Sequence, residues 1–301
     1  MNTYTTIIDG TAYTFEPVAQ LDSDTYSALL KEAKNVRNRI TIPDSISVDD
    51  FTLIPCAIGK KAFLSSKALR QISLPAAVTL IDDWAFGKCS SLRSVIIRGS
   101  SDVIFGRGAF EEDESLESIC IGYDKADDKA CLLALAAGRM GMAHLLDPAL
   151  VKTTGWYEAW DRALCTIIDS DDEAGYYELF LCGEEDITYS YQEFVARSRF
   201  RKVLLALNRV AHPEGLSTPF RQKFVSYISD RGLFETWQVI KTHYADDLRM
   251  IQLLCDIGAV NRTNIDRFIE AAEGLAGIKA FLIVYKRNNY PQDDFFGGLE
   301  L

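Results

Sequence analysis

From Ile58 to Ile121 the apolar residues follow neither the 3.6-residue period of a helix nor the alternation of a strand, yet they recur. Ala62-Phe63, Ala85-Phe86 and Ala109-Phe110 are spaced by 23 and then 24 residues. Leu69, Leu92 and Leu116 keep that spacing, and so do Ile72, Val95 and Ile119. Leu74, Ile97 and Ile121 repeat it, and upstream Ile58, Ile81 and Phe105 do as well. Columns that agree on one period define a repeated structural unit, here I-x-x-x-A-F-x-x-x-x-x-L-x-x-I-x-L. One such unit cannot bury its own apolar side chains. Stacking the units pairs the L-x-x-I-x-L segments into a parallel sheet and lines the apolar columns into one continuous core. Ala-Phe then reads as the turn opposite the strand, with Phe filling the core and Ala letting the backbone pass closely. A partial earlier copy, "ITIPDSI" at Ile40 to Ile46, matches "ISLPAAV" at Ile72 to Val78 with an offset of 32 residues. That offset predicts an insertion around Val48 to Pro55.

The pattern changes on both sides of the repeat. "YTTIIDGTAYTF" alternates around Asp9-Gly10, a hairpin turn signal. "DSDTYSALLKEAKNVRN" reads as a helix with Asp22 or Ser23 as its N-cap. Hairpin and helix together would cover the open end of the first coil. After Tyr123 helical spacing takes over until about Arg287. "YSYQEFVARSRFRKVLLALNRV" opens on a capping box of Ser190 and Glu193 and carries a stripe of Phe200, Val203, Leu204, Leu207 and Val210. "STPFRQKFVSYISDRG" places Thr218 as N-cap, Pro219 in the first turn and Gly232 just past the end. "DDLRMIQLLCDIG" runs from Asp246 to a stop at Gly258. "ALAAGRMGMAHLL" and "IEAAEGLAGIKAFLIVYK" share Ala-Ala, a nearby Gly and then an apolar helix. With "LLCDIGAVN" they resemble ankyrin helix pairs, without the T-P-L-H signature. The fold class expected is therefore α+β, a short repeat solenoid with parallel strands followed by an all-α domain of paired helices. The segments expected are a cap at 1–37, the solenoid at 38–123, the helical domain at 124–288 and a loose tail at 289–301.

The units "IDDWAFGKCSSLRSVII" and "IGKKAFLSSKALRQISLP", with the looser "GRGAFEEDESLESICIG", resemble the BspA-like leucine-rich-repeat family. Its units typically read I-x-x-x-A-F-x-x-C-x-x-L-x-x-I-x-L-P. The family cysteine stands here only at Cys89, with Ser66 and Asp113 in its place elsewhere. The proline after the strand is present at Pro43 and Pro75 and becomes Arg98 and Gly122 later. The resemblance covers residues 39–123 and implies a protein-binding solenoid of a kind often found on bacterial surfaces.

In such a coil the residues between the apolar strand positions face the concave side. Stacked by the period they form one column of Arg39, Gln71, Ser94 and Ser118, and a second of Thr41, Ser73, Ile96 and Cys120. A third holds Arg70, Arg93 and Glu117, with Arg98 just beyond the strand end. A local basic strip in an acidic chain points to another protein as partner, one that presents an acidic surface. These residues are the candidate partner-binding site.

Composition narrows the function class. The net charge is −11, which disfavours nucleic acid and an anionic membrane surface. No apolar run approaches the roughly 20 residues of a membrane span. The N-terminal "MNTYTTIIDGTAYTF" has no basic and apolar leader pattern, so a cytoplasmic location is expected, with a secreted or cell-surface one as the alternative if a leader was removed. Seven cysteines at wide spacing contain no C-x-x-C, which argues for free thiols rather than a disulfide framework or a zinc cluster.

The remaining motifs carry little chemistry. "DSDDEAGYYELF" lacks the Gly and Glu positions of a calcium loop. "EEDE" at Glu111 to Glu114 reads as a solvated turn, and "GEED" at Gly183 to Asp186 as a helix end with a polar loop. Arg197, Arg199, Arg201 and Lys202 form a basic run, read chiefly as intrahelical support with Glu193. No G-x-S-x-G, phosphate loop or H-E-x-x-H occurs. The function expected is a non-enzymatic interaction or scaffold protein with no cofactor and no metal. A cell-surface module for peptides or glycans, or an enzyme with an active site outside known motifs, are the alternatives. The sequence carries no sign of an oligomeric state.

Overall fold

The computed structural model describes residues 3–99, 102–122, 128–176 and 190–290. The described residues form two compact units divided between 165 and 166, with 212–215 belonging to the first. The division falls within the helix Gly155–Asp169.

The first unit is built on two sheets. Strands β4 (Arg39–Thr41), β7 (Gln71–Leu74), β9 (Ser94–Ile97) and β11 (Ser118–Ile121) form a four-stranded parallel sheet in the order β11-β9-β7-β4. The second sheet has the order β1-β2-β3-β6-β8-β10. It holds β1 (Tyr4–Ile8), β2 (Thr11–Gln20), β3 (Thr25–Lys34), β6 (Phe51–Ile58), β8 (Leu80–Ile81) and β10 (Ile104–Phe105), with β5 (Ile46–Val48) paired to β6. The result is a β-solenoid of about four turns. Its columns coincide with the sequence period. Leu69, Leu92, Ile72, Val95, Leu74 and Ile97 are all 0% exposed. Phe63, Phe86 and Phe110 stack with ring centroids 5.0 and 5.3 Å apart and planes within 9° and 3° of parallel. Ala62, Ala85 and Ala109 are buried beside them. Their turns are laddered too, because Phe63 N–H donates to Ala85 O at 2.8 Å and Phe86 N–H to Ala109 O at 2.9 Å.

The expected insertion at Val48 to Pro55 is the β5–β6 hairpin. It supplies the long strand on which the second sheet is assembled. The expected hairpin at Asp9-Gly10 forms, with φ of +49° and +79° at the two turn residues. The helix expected over residues 22–38 does not form. Its central residues are β3, paired antiparallel to β2 and parallel to β6. The helix-forming Ala, Leu, Lys and Glu of "SALLKEAK" are overruled because a strand here meets hydrogen-bonding edges on both sides and buries Ala28 and Leu30. The cap of the first coil is thus all β.

Backbone strain repeats with the same period. Lys61, Trp84 and Gly108, just before each Ala-Phe, have φ of +61°, +55° and +60°. Ser65, Lys88 and Glu112, two residues after each Phe, have φ of +59°, +61° and +62°. The left-handed region costs an L-residue about 1–2 kcal/mol. Ser65 is exposed, and its hydroxyl makes no hydrogen bond among the described residues. Ser65→Gly is therefore expected to stabilise the chain by about 0.5–1 kcal/mol after the extra unfolded-state entropy of glycine is subtracted. An unchanged or lowered denaturant midpoint would contradict the strain argument.

The last coil is closed by helices. Helix α1 (Asp128–Leu135) and the π-turn at Ala136–Met140 lie on it, with Gly138 facing the carbonyls of Asp113 and Phe110. A 3₁₀ turn (Ala143–Leu146), α2 (Pro148–Val151) and α3 (Gly155–Asp169) follow. Trp156 and Trp160 are fully buried, and their indole N–H groups donate to Leu145 O at 2.8 Å and Leu132 O at 3.1 Å.

The second unit contains α4 (Tyr191–Ala211), α5 (Thr218–His243), α6 (Leu248–Asp256), α7 (Ile265–Ala271) and α8 (Ala276–Asn289). Helices α4 and α5 pack side by side, as do α7 and α8. The capping box forms: Ser190 N–H donates to Glu193 Oε2 at 2.6 Å, and Glu193 N–H to Ser190 Oγ at 3.4 Å. Helix α6 starts on an Asp247 cap and ends before Gly258, which has φ +78°. Gly232 does not end α5, which continues to His243, and the N-cap is Ser217 rather than Thr218. A mid-helix glycine costs only about 1 kcal/mol. Burial of Trp237, Val239 and Ile240 beyond it outweighs that. The polar loop expected at 183–186 and the tail segment 291–301 lie outside the described residues.

Candidate functional site

Strand register decides which side chains share the open face of the four-stranded sheet. Arg39 stands opposite Gln71, Gln71 opposite Ser94, and Ser94 opposite Ser118. The next outward column is Thr41, Ser73, Ile96 and Cys120. Both columns alternate with the buried Ile40, Ile72, Val95 and Ile119, so they point away from the core. Most of the face is small and half-buried, and Ser118 and Ser94 are joined through their hydroxyls at 3.1 Å.

The third group does not behave as one basic strip. Arg93 pairs with Glu117 at 3.0 Å, and both side chains remain more than half exposed. Arg98 leaves the face altogether. Its guanidinium donates to Ile42 O at 2.7 Å and pairs with Asp44 at 3.0 Å, and the side chain is 17% exposed. Asp44 in turn accepts the Ala76 N–H at 2.8 Å. That backbone donor, and after it Arg98, hold the Asp44 carboxyl below its ordinary value. Arg98 thus ties the ends of three coils together. Arg39 and Arg70 are exposed and make no side-chain ion pair among the described residues. Arg39 stands in the first outward column, and Arg70 directly precedes β7.

Two charged features were not legible as such in the sequence. Asp113, in the column where Cys89 and Ser66 stand, is 0% exposed. Its Oδ1 accepts the Cys89 N–H at 2.7 Å, while Oδ2 has no hydrogen-bond partner. Burial, with Glu112 and Glu111 nearby, pushes its carboxyl up to about 8. Burial also pushes the Cys89 thiol up to about 12, and the thiol donates to Phe63 O at 3.1 Å. So "EEDE" is a solvated turn except at Asp113. The column alignment was the signal that could have found it.

The other feature lies in the second unit. The basic run of α4 meets the acidic run after α3. Asp172 accepts from Lys202 at 2.8 Å, from Arg199 at 2.8 Å and from Arg231 at 3.3 Å. Burial opposes its charge, yet Lys202 and Arg199 hold the carboxyl below its ordinary value. Asp169 pairs with Lys223 at 2.6 Å. Lys202 is fully buried, so leaving it unpaired would be costly. The anion this basic run holds is the chain's own carboxylate, and the cluster pins the turn after α3.

Among the described residues no group of three or more His, Cys, Asp or Glu is placed to hold a metal ion. No helix among them is long and apolar enough to cross a membrane. No disulfide joins the six described cysteines, and Cys182 lies outside the described residues.

Residues 37–127 match a BspA type leucine rich repeat region in six copies. No curated protein matches the chain. Several solved structures are similar. A leucine rich cell surface protein from Faecalibacterium prausnitzii A2-165 is 28% identical over 40% of this chain and 30% of that one, with a TM-score of 0.33. A leucine rich repeat protein of T. pallidum is 23% identical over 36% of this chain and 47% of that one, with a TM-score of 0.30. A leucine-rich repeat protein from Bacteroides capillosus ATCC 29799 is 21% identical over 40% of this chain and 99% of that one, with a TM-score of 0.31. The chain therefore spans less than half the length of the first two.

Proposed function

We propose, from a BspA-type leucine-rich-repeat region at residues 37–127, that this chain is a non-enzymatic protein-interaction module that binds through the open face of its four-stranded sheet. The observation that carries the reading is the pair of outward columns, small and regular, bordered by the cations Arg39 and Arg70. Small Ser and Thr side chains let a partner approach the sheet closely. Guanidinium groups then engage paired carboxylates on that partner. Arg93 contributes less, since Glu117 already neutralises it. Six described cysteines outside any disulfide suit a reducing compartment. A surface location, as described for the F. prausnitzii protein, is the alternative.

The test is a binding series with partners recovered by cross-linking in the native cell. Arg39→Glu with Arg70→Glu is expected to weaken binding at least about tenfold, as loss of charge-assisted contacts of about 1.5–3 kcal/mol implies. Arg98→Glu is unsuitable as a probe because it breaks the tie to Asp44. Unchanged affinity of the double variant at equal salt would remove the face from consideration.

A further inference from the structure

Among the described residues, β1, β4, β5, β10 and β11 each pair with a single strand, and four of these edges are protected. The β11 edge lies against α1. Strand β4 is three residues long and opens on the charged Arg39, and β10 is two residues long. Strand β5 is three residues long and runs into Asp49 and Asp50. By contrast, β1 ends the second sheet with five residues, Tyr4-Thr5-Thr6-Ile7-Ile8. It has no charge, no proline and no bulge against β2, the devices that keep edge strands apart. Hairpin geometry fixes which of its backbone groups face outward. Ile8 and Thr11 close the two-residue turn and exchange hydrogen bonds. Tyr4, Thr6 and Ile8 therefore bond to β2, and the N–H and C=O of Thr5 and Ile7 point to the open side. The Thr5 and Thr14 hydroxyls, 3.0 Å apart, agree, because side chains sit closer across a non-hydrogen-bonded pair. Thr5 is exposed, and Ile7 is 72% exposed. Nothing among the described residues meets these outward groups.

The pattern is self-complementary. With Thr6 on a twofold axis, an antiparallel copy sets Thr5 opposite the partner's Ile7 and Ile7 opposite the partner's Thr5. Every free N–H of the edge then meets a free C=O. Each exposed Ile7 side chain comes beside a β-branched neighbour from the other copy, a favourable cross-strand pair. Asp9, the charged residue nearest the strand, stands opposite the partner's Thr3. No like charges therefore meet across the pair, although each chain carries a net charge of −11. A twofold pairing uses one surface twice, the commonest way soluble chains associate, so these observations favour a copy over a foreign strand.

We propose that two copies of this chain associate by antiparallel pairing of β1 with β1, joining their second sheets across a twofold axis at Thr6. The face proposed above for a partner lies on the other sheet, so the two readings stand or fall separately. Sedimentation of the full chain at micromolar concentration should show a dimer. Thr5→Pro removes an outward N–H and leaves the bonds to β2 in place, as proline on an edge strand does. It should weaken the dimer at least about tenfold, since a hydrogen bond is lost on each side of the axis. Oxidation tests the register independently of whether Thr5→Pro folds. The Cα atoms of Thr6 and its symmetry mate are expected about 4.5 Å apart, within disulfide reach, so Thr6→Cys should cross-link. Ile8→Cys sets the two thiols about 13 Å apart along the strands and should not. Mass spectrometry of the non-reduced peptides distinguishes this link from any made by the native cysteines. The proposal is overturned by a monomer throughout the micromolar range, by a dimer that Thr5→Pro leaves unchanged, or by equal cross-linking of the two cysteine variants.

Discussion

Asp113→Asn should make the protein more stable above about pH 8 and change it little near pH 4. The sign follows from where the proton sits. In the unfolded chain the carboxyl ionises near 3.8, whereas in the folded chain burial raises it to about 8. Between those values the folded state holds a proton that the unfolded state has released. Stability therefore falls as pH rises through this window and levels off above it, where a buried charge remains. Asn accepts the Cys89 N–H as Asp does and carries no charge. Each tenfold difference in proton affinity between the two states corresponds to about 1.4 kcal/mol, so a rise of this size sets a ceiling of about 5–6 kcal/mol. Relaxation around a buried ion reduces the expected gain to about 2–4 kcal/mol at pH 9. Denaturant melts of both proteins across the pH range test this. A gain that is the same at pH 5 and pH 9 would show that Asp113 does not titrate in the window.

Leu92→Ala is expected to cost about 2–5 kcal/mol, as buried large-to-small changes do. Leu92 is 0% exposed and sits between Leu69 and Leu116 in a column that runs through the stacked coils. The neighbouring coils are held by their own hydrogen-bond ladders, so the cavity cannot collapse freely. Arg93→Ala, one position along, removes only an exposed ion pair with Glu117 and should cost less than about 1 kcal/mol. Equal losses from the two changes in denaturant melts would mean that the repeat register is wrong.

The ion cluster around Asp172 shows why charge roles resist sequence reading. Arg199 and Lys202 stand close together on α4, yet their partner arrives from a turn some thirty residues earlier, and Arg231 comes from α5. Neither run announces the other. Arg98 is similar: its sequence position suggests a place in a basic strip, while its side chain crosses two coils to Asp44.

The repeat can be read from the chain with no structure at hand. A spacing of 23 and 24 residues implies the coils, the buried columns, the Ala-Phe turns and the two outward columns of the sheet. That legibility has a physical reason. Stacked identical units place equivalent residues in equivalent surroundings, so periodicity in the chain becomes a ladder in space. Other features emerge only when distant segments meet. Residues 25–34 became a strand because two sheet edges were waiting, and α5 ran through Gly232 because the packing beyond it was strong. Non-glycine residues took the left-handed region at two positions of the turns, where coil-to-coil hydrogen bonds hold them. Asp113 was buried, and Arg93 and Arg98 were paired. Each of these depends on a neighbour distant in the chain, and no local pattern records which neighbour that will be.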